Sequence, residues 1–290
     1  MTYHGVRRLP RAVSYAIGHA GSSLVAAFAP AATAAIADNL RPLFPDESDA
    51  QLRRRALDTY RSYTRDAIDF LRAIEDPGVA EAFEFSEETR RHALSMQAGG
   101  RGALLVTGHF GNWEAGGLLM ARALQLPLTV LAMREADDTV NRIRNDIRAR
   151  MGVQTIEVRQ SLDTPLQIRA ALSRNQFVAL LVDRHIGRDR VPVTLFGRQA
   201  WFLRTPLVIA ALTGAPIAVS SVERSGPGRF LASMSEPITM PRGAGRDEWI
   251  AGAAQQIADQ IAERVRRRPE CWYHFYRYWD AQRDDYRGLD

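Results

Sequence analysis

The stretch Ala103-Leu-Leu-Val-Thr107, continuing as Gly-His-Phe-Gly-Asn-Trp-Glu114, passes from an apolar run into a glycine-flanked turn and then a helix start. A short apolar run bounded by glycines reads as a strand buried on both faces. Ligands of open α/β sheets bind beyond the carboxyl ends of such strands. His109 stands two residues past this one, with Gly108 and Gly111 permitting a tight turn and close approach by a substrate. Asn112 is suited to cap the following helix, and Glu114 falls in its first turn, where negative charge is favoured. On a continuous helix, five positions would separate His109 and Glu114 by about 140°. The two meet only if the histidine lies in the turn and the chain folds back. A carboxylate on one imidazole nitrogen would fix the tautomer and make the other a better base. Position alone leaves a satisfied loop histidine beside a helix-start charge as an equal reading.

Outward from this stretch, apolar runs at 128–133, 155–158, 177–182, 191–196, 217–222 and 230–234 read as further strands. Helical patterns at 113–123, 139–151, 165–173, 205–212 and 247–267 separate several of them. This alternation predicts an α/β fold, a central mostly parallel or mixed sheet flanked by helices. Residues 1–98 form a mainly helical N-terminal portion, with helices predicted over 50–74 and 86–96. Residues 99–290 form the α/β core of what reads as one domain. The span 12–40 is rich in small residues, follows Arg7, Arg8 and Arg11, and is divided by Pro30. It reads as one or two helices packed on the domain or lying in a membrane interface, in preference to a span.

Composition excludes several chemistries. Of 290 residues, 38 are basic and none is lysine, so every one is an arginine. That removes P-loop, Schiff-base and lysine-general-base mechanisms. The single cysteine, Cys271, excludes an intrachain disulfide and a multi-thiolate zinc site. Neither a Gly-x-Ser-x-Gly elbow, a His-Glu-x-x-His site nor a Gly-x-Gly-x-x-Gly turn is present. The net charge of +5 suits an anionic membrane or acidic partner, through Arg53–Arg55 and Arg266–Arg268 if these are more than solvated helix faces. No nucleic-acid module is recognisable. His185 reads as a loop residue, and His274, among Trp272, Tyr273, Phe275, Tyr276 and Trp279, as part of a packed aromatic cluster.

The segment Thr107–Glu114 resembles the H-x4-D/E motif of the bacterial lipid A biosynthesis acyltransferases, a family that also holds phosphatidylinositol mannoside acyltransferases. The likeness extends along most of the chain. It includes Asn39-Leu-Arg-Pro-Leu-Phe-Pro45, Arg148-Ala-Arg150, Asp183-Arg-His, Val193-Thr-Leu-Phe-Gly197, Leu212-Thr-Gly-Ala-Pro216 and Pro269-Glu-Cys-Trp272. The C-terminal Trp272–Arg277 matches the family's Trp-x-x-His-Arg-Arg only loosely. The resemblance implies O-acyl transfer from acyl carrier protein or coenzyme A to a hydroxyl of a membrane glycolipid or lysolipid, lipid A precursor-like, at the cytoplasmic face of the inner membrane. It implies His109 as general base with Glu114 as partner, and no metal or cofactor. Asp183 matches an acidic position used near the histidine, and Arg148 a functional arginine. Arg184, Gly111 and Asn112 are expected to contact substrate. A thioesterase or a non-catalytic lipid- or carrier-binding protein are the alternatives.

Overall fold

The computed structural model describes residues 9–73, 82–117, 121–134, 138–158 and 163–282. In chain order its helices and strands are α1 (Arg11–Phe28), α2 (Pro30–Leu40), α3 (Asp49–Ala73), β1 (Phe83–Phe85), α4 (Glu87–Ala98), β2 (Ala103–Thr107), α5 (Trp113–Ala115), α6 (Ala121–Leu124), β3 (Leu128–Ala132), α7 (Asp138–Arg150), β4 (Gln154–Glu157), α8 (Asp163–Ser173), β5 (Phe177–Leu181), β6 (Val191–Leu195), β7 (Arg198–Phe202), α9 (Thr205–Thr213), β8 (Ile217–Gly226), β9 (Arg229–Met234) and α10 (Arg246–Arg267).

Seven strands form one sheet in the order β1-β9-β8-β2-β5-β3-β4. Every neighbouring pair is parallel except β8 and β9. Side chains alternate across β2, so its two faces feed two cores. Leu104 and Val106 join a core with α2, α3, α8, α9 and α10. Ala103 and Leu105 join another that includes Ala93 and Met96 of α4. With both faces covered, the central strands carry the near-continuous apolar runs expected of a buried parallel sheet.

One prediction needs correction. The run at 191–196 is not a strand of the main sheet: it pairs antiparallel with β7 in a separate ribbon. Phe196 and Gly197, both at positive φ, make its two-residue turn. Of the helix predicted over 113–123, Trp113–Ala115 and Ala121–Leu124 are α-helical, and residues 118–120 lie outside the described residues.

The N-terminal portion is helical as the sequence suggests. Pro30 opens α2, and α1 and α2 meet at a 95° bend. Among the described residues no single helix is long and apolar enough to cross a membrane, although this bent pair passes the test by length and composition together. The packing face of α1 is the small, polar one. Ser14 and Ser22 are buried, Ser22 Oγ lies 2.9 Å from Thr64 Oγ1, and a Cβ on Gly18 would come 2.6 Å from Thr64 Cγ2. Val13, Ile17, Leu24, Val25 and Phe28 are left exposed, Phe28 at 84 %.

Candidate active site

Parallel pairing of β2 and β5 aligns Thr107 with Leu181. Two residues further along each strand stand His109 and Asp183, so the register itself brings them together. His109 Nδ1 lies 2.6 Å from Asp183 Oδ1, and the His109 backbone N–H donates to Oδ2 at 2.8 Å. Gly108 is required between them, because a Cβ there would sit 2.9 Å from Asp183 Oδ2.

Asp183 is fully buried, a costly place for a carboxylate unless it is well satisfied. Oδ2 also accepts from His274 Nε2 at 3.0 Å and from Trp272 Nε1 at 3.4 Å. Burial pushes its pKa up, but the charges and hydrogen bonds of His109 and His274 outweigh this and hold it well below the usual carboxylate range. Burial lowers the pKa of His109, and Asp183 only partly offsets that. The imidazole is therefore neutral near pH 7, with Nδ1–H donating to Asp183 and Nε2 left as the basic nitrogen. His274 is buried as well, its pKa lowered to about 4, chiefly by desolvation. Arg184 Nη2, at 3.4 Å, donates to its Nδ1, which fixes Nε2–H toward Asp183.

The ring nitrogens of His109 and His274 and the Asp183 carboxylate lie within 4.8 Å of one another, close enough together to hold a metal ion. The 2.6 and 3.0 Å separations are those of hydrogen bonds. Both Asp183 oxygens are occupied as hydrogen-bond acceptors.

His109 borders a cavity of about 820 Å³. Trp113, Tyr63, Tyr273 and Phe275 line it, with Glu114, Arg144, Arg148, Arg184 and His185 as polar groups. Leu105, Leu128, Val130, Ala179 and the glycines 116 and 117 carry it down along the sheet as an apolar wall. The predicted His109–Glu114 pairing needs correction: Asp183 is the carboxylate on the ring. Glu114 instead accepts from Arg148 Nη2 at 3.3 and 3.4 Å, with Arg144 Nε at 4.0 Å. The separation on the helix turn explains this, since α5 begins at Trp113 and carries Glu114 toward α7.

Gly111 and Asn112 are also reassigned. Neither lines the cavity. Gly111 has φ +65°, its N–H bonds the Cys271 carbonyl, and a Cβ would come 2.4 Å from the Val222 carbonyl oxygen. Asn112 is buried: Oδ1 accepts from Ala115 N–H at 3.1 Å, capping α5, and Nδ2 donates to the Asp66 carbonyl at 2.9 Å. Both shape the turn from behind.

The C-terminal segment closes the site. Tyr273 N–H donates to the His109 carbonyl at 2.7 Å. Tyr273 OH donates to Asp66 Oδ2 at 2.6 Å, and Asp66 also pairs with buried Arg224 at 3.0 Å. Burial raises the Asp66 pKa to about 6, with Arg224 and Tyr273 pulling the other way. Asn39, on α2, donates to the carbonyls of His274 and Tyr276 and accepts from Tyr278 N–H. His274 is the residue of the Asp183 cluster that the sequence reading missed, by placing it in an aromatic cluster. It does sit in that cluster, against Trp272 and Tyr278, and its imidazole serves Asp183 from there. The available signal was the loose likeness of Trp272–Arg277 to the family's Trp-x-x-His-Arg-Arg, although here the histidine stands two positions after the tryptophan. His185 lines the cavity and its Nε2 lies 3.0 Å from the Ala281 carbonyl, so it is not a freely solvated loop residue.

A buried Asp–His pair at strand ends thus opens onto an apolar-walled cavity in an α/β fold. Residues 1–281 match the family model described as bacterial lipid A biosynthesis acyltransferase, and the chain belongs to that family, as an acyltransferase. It is similar to the phosphatidylinositol mannoside acyltransferase of Mycolicibacterium smegmatis, with 25% identity over 84% of this chain and 77% of that protein. Its similarity to the protein of the same name in Mycobacterium tuberculosis strain H37Rv is 23% identity over 68% of this chain and 60% of the relative. The chain thus spans about three fifths of that second relative.

Proposed function

We propose that the protein moves a fatty acyl group from an acyl thioester, on acyl carrier protein or coenzyme A, to a hydroxyl of a membrane glycolipid or lysolipid. The observation that carries this reading is the 2.6 Å contact of His109 Nδ1 with buried Asp183 at the mouth of a cavity with an apolar wall. His109 Nε2 takes the acceptor hydroxyl proton as the oxygen attacks the thioester carbonyl. The tetrahedral species then expels the thiolate, which receives the same proton back. The chemistry needs neither a covalent enzyme intermediate nor a metal. The apolar wall accommodates the acyl chain, and Arg148 and Arg144 offer charge to an anionic substrate group. The names of the relatives favour a phosphatidylinositol-mannoside-like glycolipid as acceptor.

The exposed stripe of α1 suits it to lie in the headgroup region of an anionic membrane, as a peripheral or monotopic protein at the cytoplasmic face of the inner membrane. The direct test supplies acyl-CoA or acyl carrier protein and a glycolipid acceptor to the purified protein in liposomes and follows products by mass spectrometry. Ester formation that requires acceptor, and that is lost in His109→Ala, is the expected result. Free fatty acid released at full rate without acceptor would make it a thioesterase. Donor binding with no turnover would make it a binding protein.

A further inference from the structure

An acyl transfer develops negative charge on the thioester carbonyl oxygen, and enzymes place fixed donors there. The turn after β2 would be the usual source of such donors, but four of its amides are engaged elsewhere. His109 N–H is on Asp183, Gly111 N–H on the Cys271 carbonyl and Asn112 N–H on the Val222 carbonyl. The Ala115 N–H of α5 is taken by the Asn112 side chain. These four amides of the turn are thus engaged away from the cavity.

Resting on the acyl-transfer reading, we infer that Arg184 is the oxyanion donor: a catalytic residue whose guanidinium meets the thioester carbonyl oxygen as it becomes tetrahedral. Arg184 follows Asp183 directly. While Asp183 points into the core, Arg184 lines the cavity beside His109. Other cations of the site are committed to carboxylates, Arg148 to Glu114 and Arg224 to Asp66. Arg184 has no carboxylate partner among the described residues. Its guanidinium stacks 4.6 Å from the Tyr276 ring centroid, and its Nε is buried without a hydrogen-bond partner. The contact with His274 Nδ1 uses Nη2 and leaves Nη1 for a ligand. His274 is thus a neutral spacer between a cation facing substrate and the anion behind the base.

The step balances. The hydroxyl oxygen bonds the carbonyl carbon, the carbonyl π pair moves to the oxygen facing Arg184, and the proton goes to His109 Nε2. Collapse of the oxyanion breaks the C–S bond, and the thiolate leaves with the proton from Nε2. The same charge disfavours protonation of His109, which keeps the base free.

The test uses the full chain with acyl thioester and acceptor, comparing wild type, Arg184→Gln, Arg184→Lys and His109→Ala. Arg184→Gln is expected to lower kcat by about 10²–10³-fold with the KM of each substrate little changed, because the contact forms only in the transition state. Arg184→Lys, keeping the charge without the fork, is expected to recover part of the loss. The acidic limb of kcat/KM should move up in pH for Arg184→Gln, which a mere disturbance of His274 and Asp183 would not produce, since loss of the Asp183 anion moves it down. A loss confined to KM, or an unchanged kcat, overturns the proposal while leaving acyl transfer intact. If Arg184→Gln does not fold, a full loss of kcat without recovery in a folded Arg184→Lys, with the acidic limb unmoved, overturns it as well. Wild type that forms no ester, like His109→Ala, sinks the acyl-transfer reading and this proposal with it.

Discussion

At the scale of single residues the site is a chain of four side chains, Arg184–His274–Asp183–His109, each fixing the tautomer or charge of the next. The His109 pKa lies below 6.5 because burial outweighs Asp183. Activity is therefore expected to persist below pH 6.5 and to fall only as His109 becomes protonated. In Asp183→Asn the acidic limb should move lower still while kcat falls, a pairing that a pH–rate profile reads directly. His274 carries a second consequence. It is neutral and buried with a pKa of about 4, whereas the unfolded side chain titrates near 6.5. The unfolded chain binds the extra proton first, so this contribution to stability is whole above pH 6.5 and declines toward pH 4. Urea unfolding at pH 5 should show about 2 kcal/mol less stability than at pH 7 from this group. His109 was legible in the sequence because glycines and a strand end mark it. His274 was not, because an aromatic cluster looks the same whether its histidine merely packs or also holds a carboxylate.

At the scale of elements, the partnership with Asp183 follows from which strands are neighbours. The sequence suggested β2 and β5 separately, but not that β5 inserts between β2 and β3 or that Thr107 aligns with Leu181. Glu114 was attractive as a partner because it is near in sequence, whereas strand pairing makes a residue 74 positions away nearer in space. The β6–β7 ribbon was hidden for a related reason: a strand's own pattern does not say which sheet it joins. The turn depends on elements behind it. Asn112→Ala removes the α5 cap and the bond to α3, and should cost about 1–2 kcal/mol with a loss of activity. Gly108→Ala places a methyl against the Asp183 carboxylate. It is expected to reduce kcat more than it reduces thermal stability, as an activity assay and a melting curve on one preparation would show.

At the scale of the whole molecule, the α/β class and the helical N-terminal portion were legible from periodicity, because the buried parallel strands are uniformly apolar and the helices are not. The orientation of α1 was not legible. Its small residues go inward because α3 approaches closely at Gly18 and Ser22, and its larger apolar ones remain outside. Leu24→Glu with Phe28→Glu should weaken liposome flotation by tenfold or more, given roughly 1.5–3 kcal/mol for each buried side chain. The melting temperature should hold, since both side chains are exposed. The central claim is that His109 and Asp183 act as one unit in acyl transfer. It is tested most directly by kcat for ester formation in His109→Ala, Asp183→Asn and the double variant. A double variant no slower than His109→Ala is the result expected, because the carboxylate acts only through the imidazole. Losses that multiply, or an Asp183→Asn enzyme as fast as wild type, would contradict it.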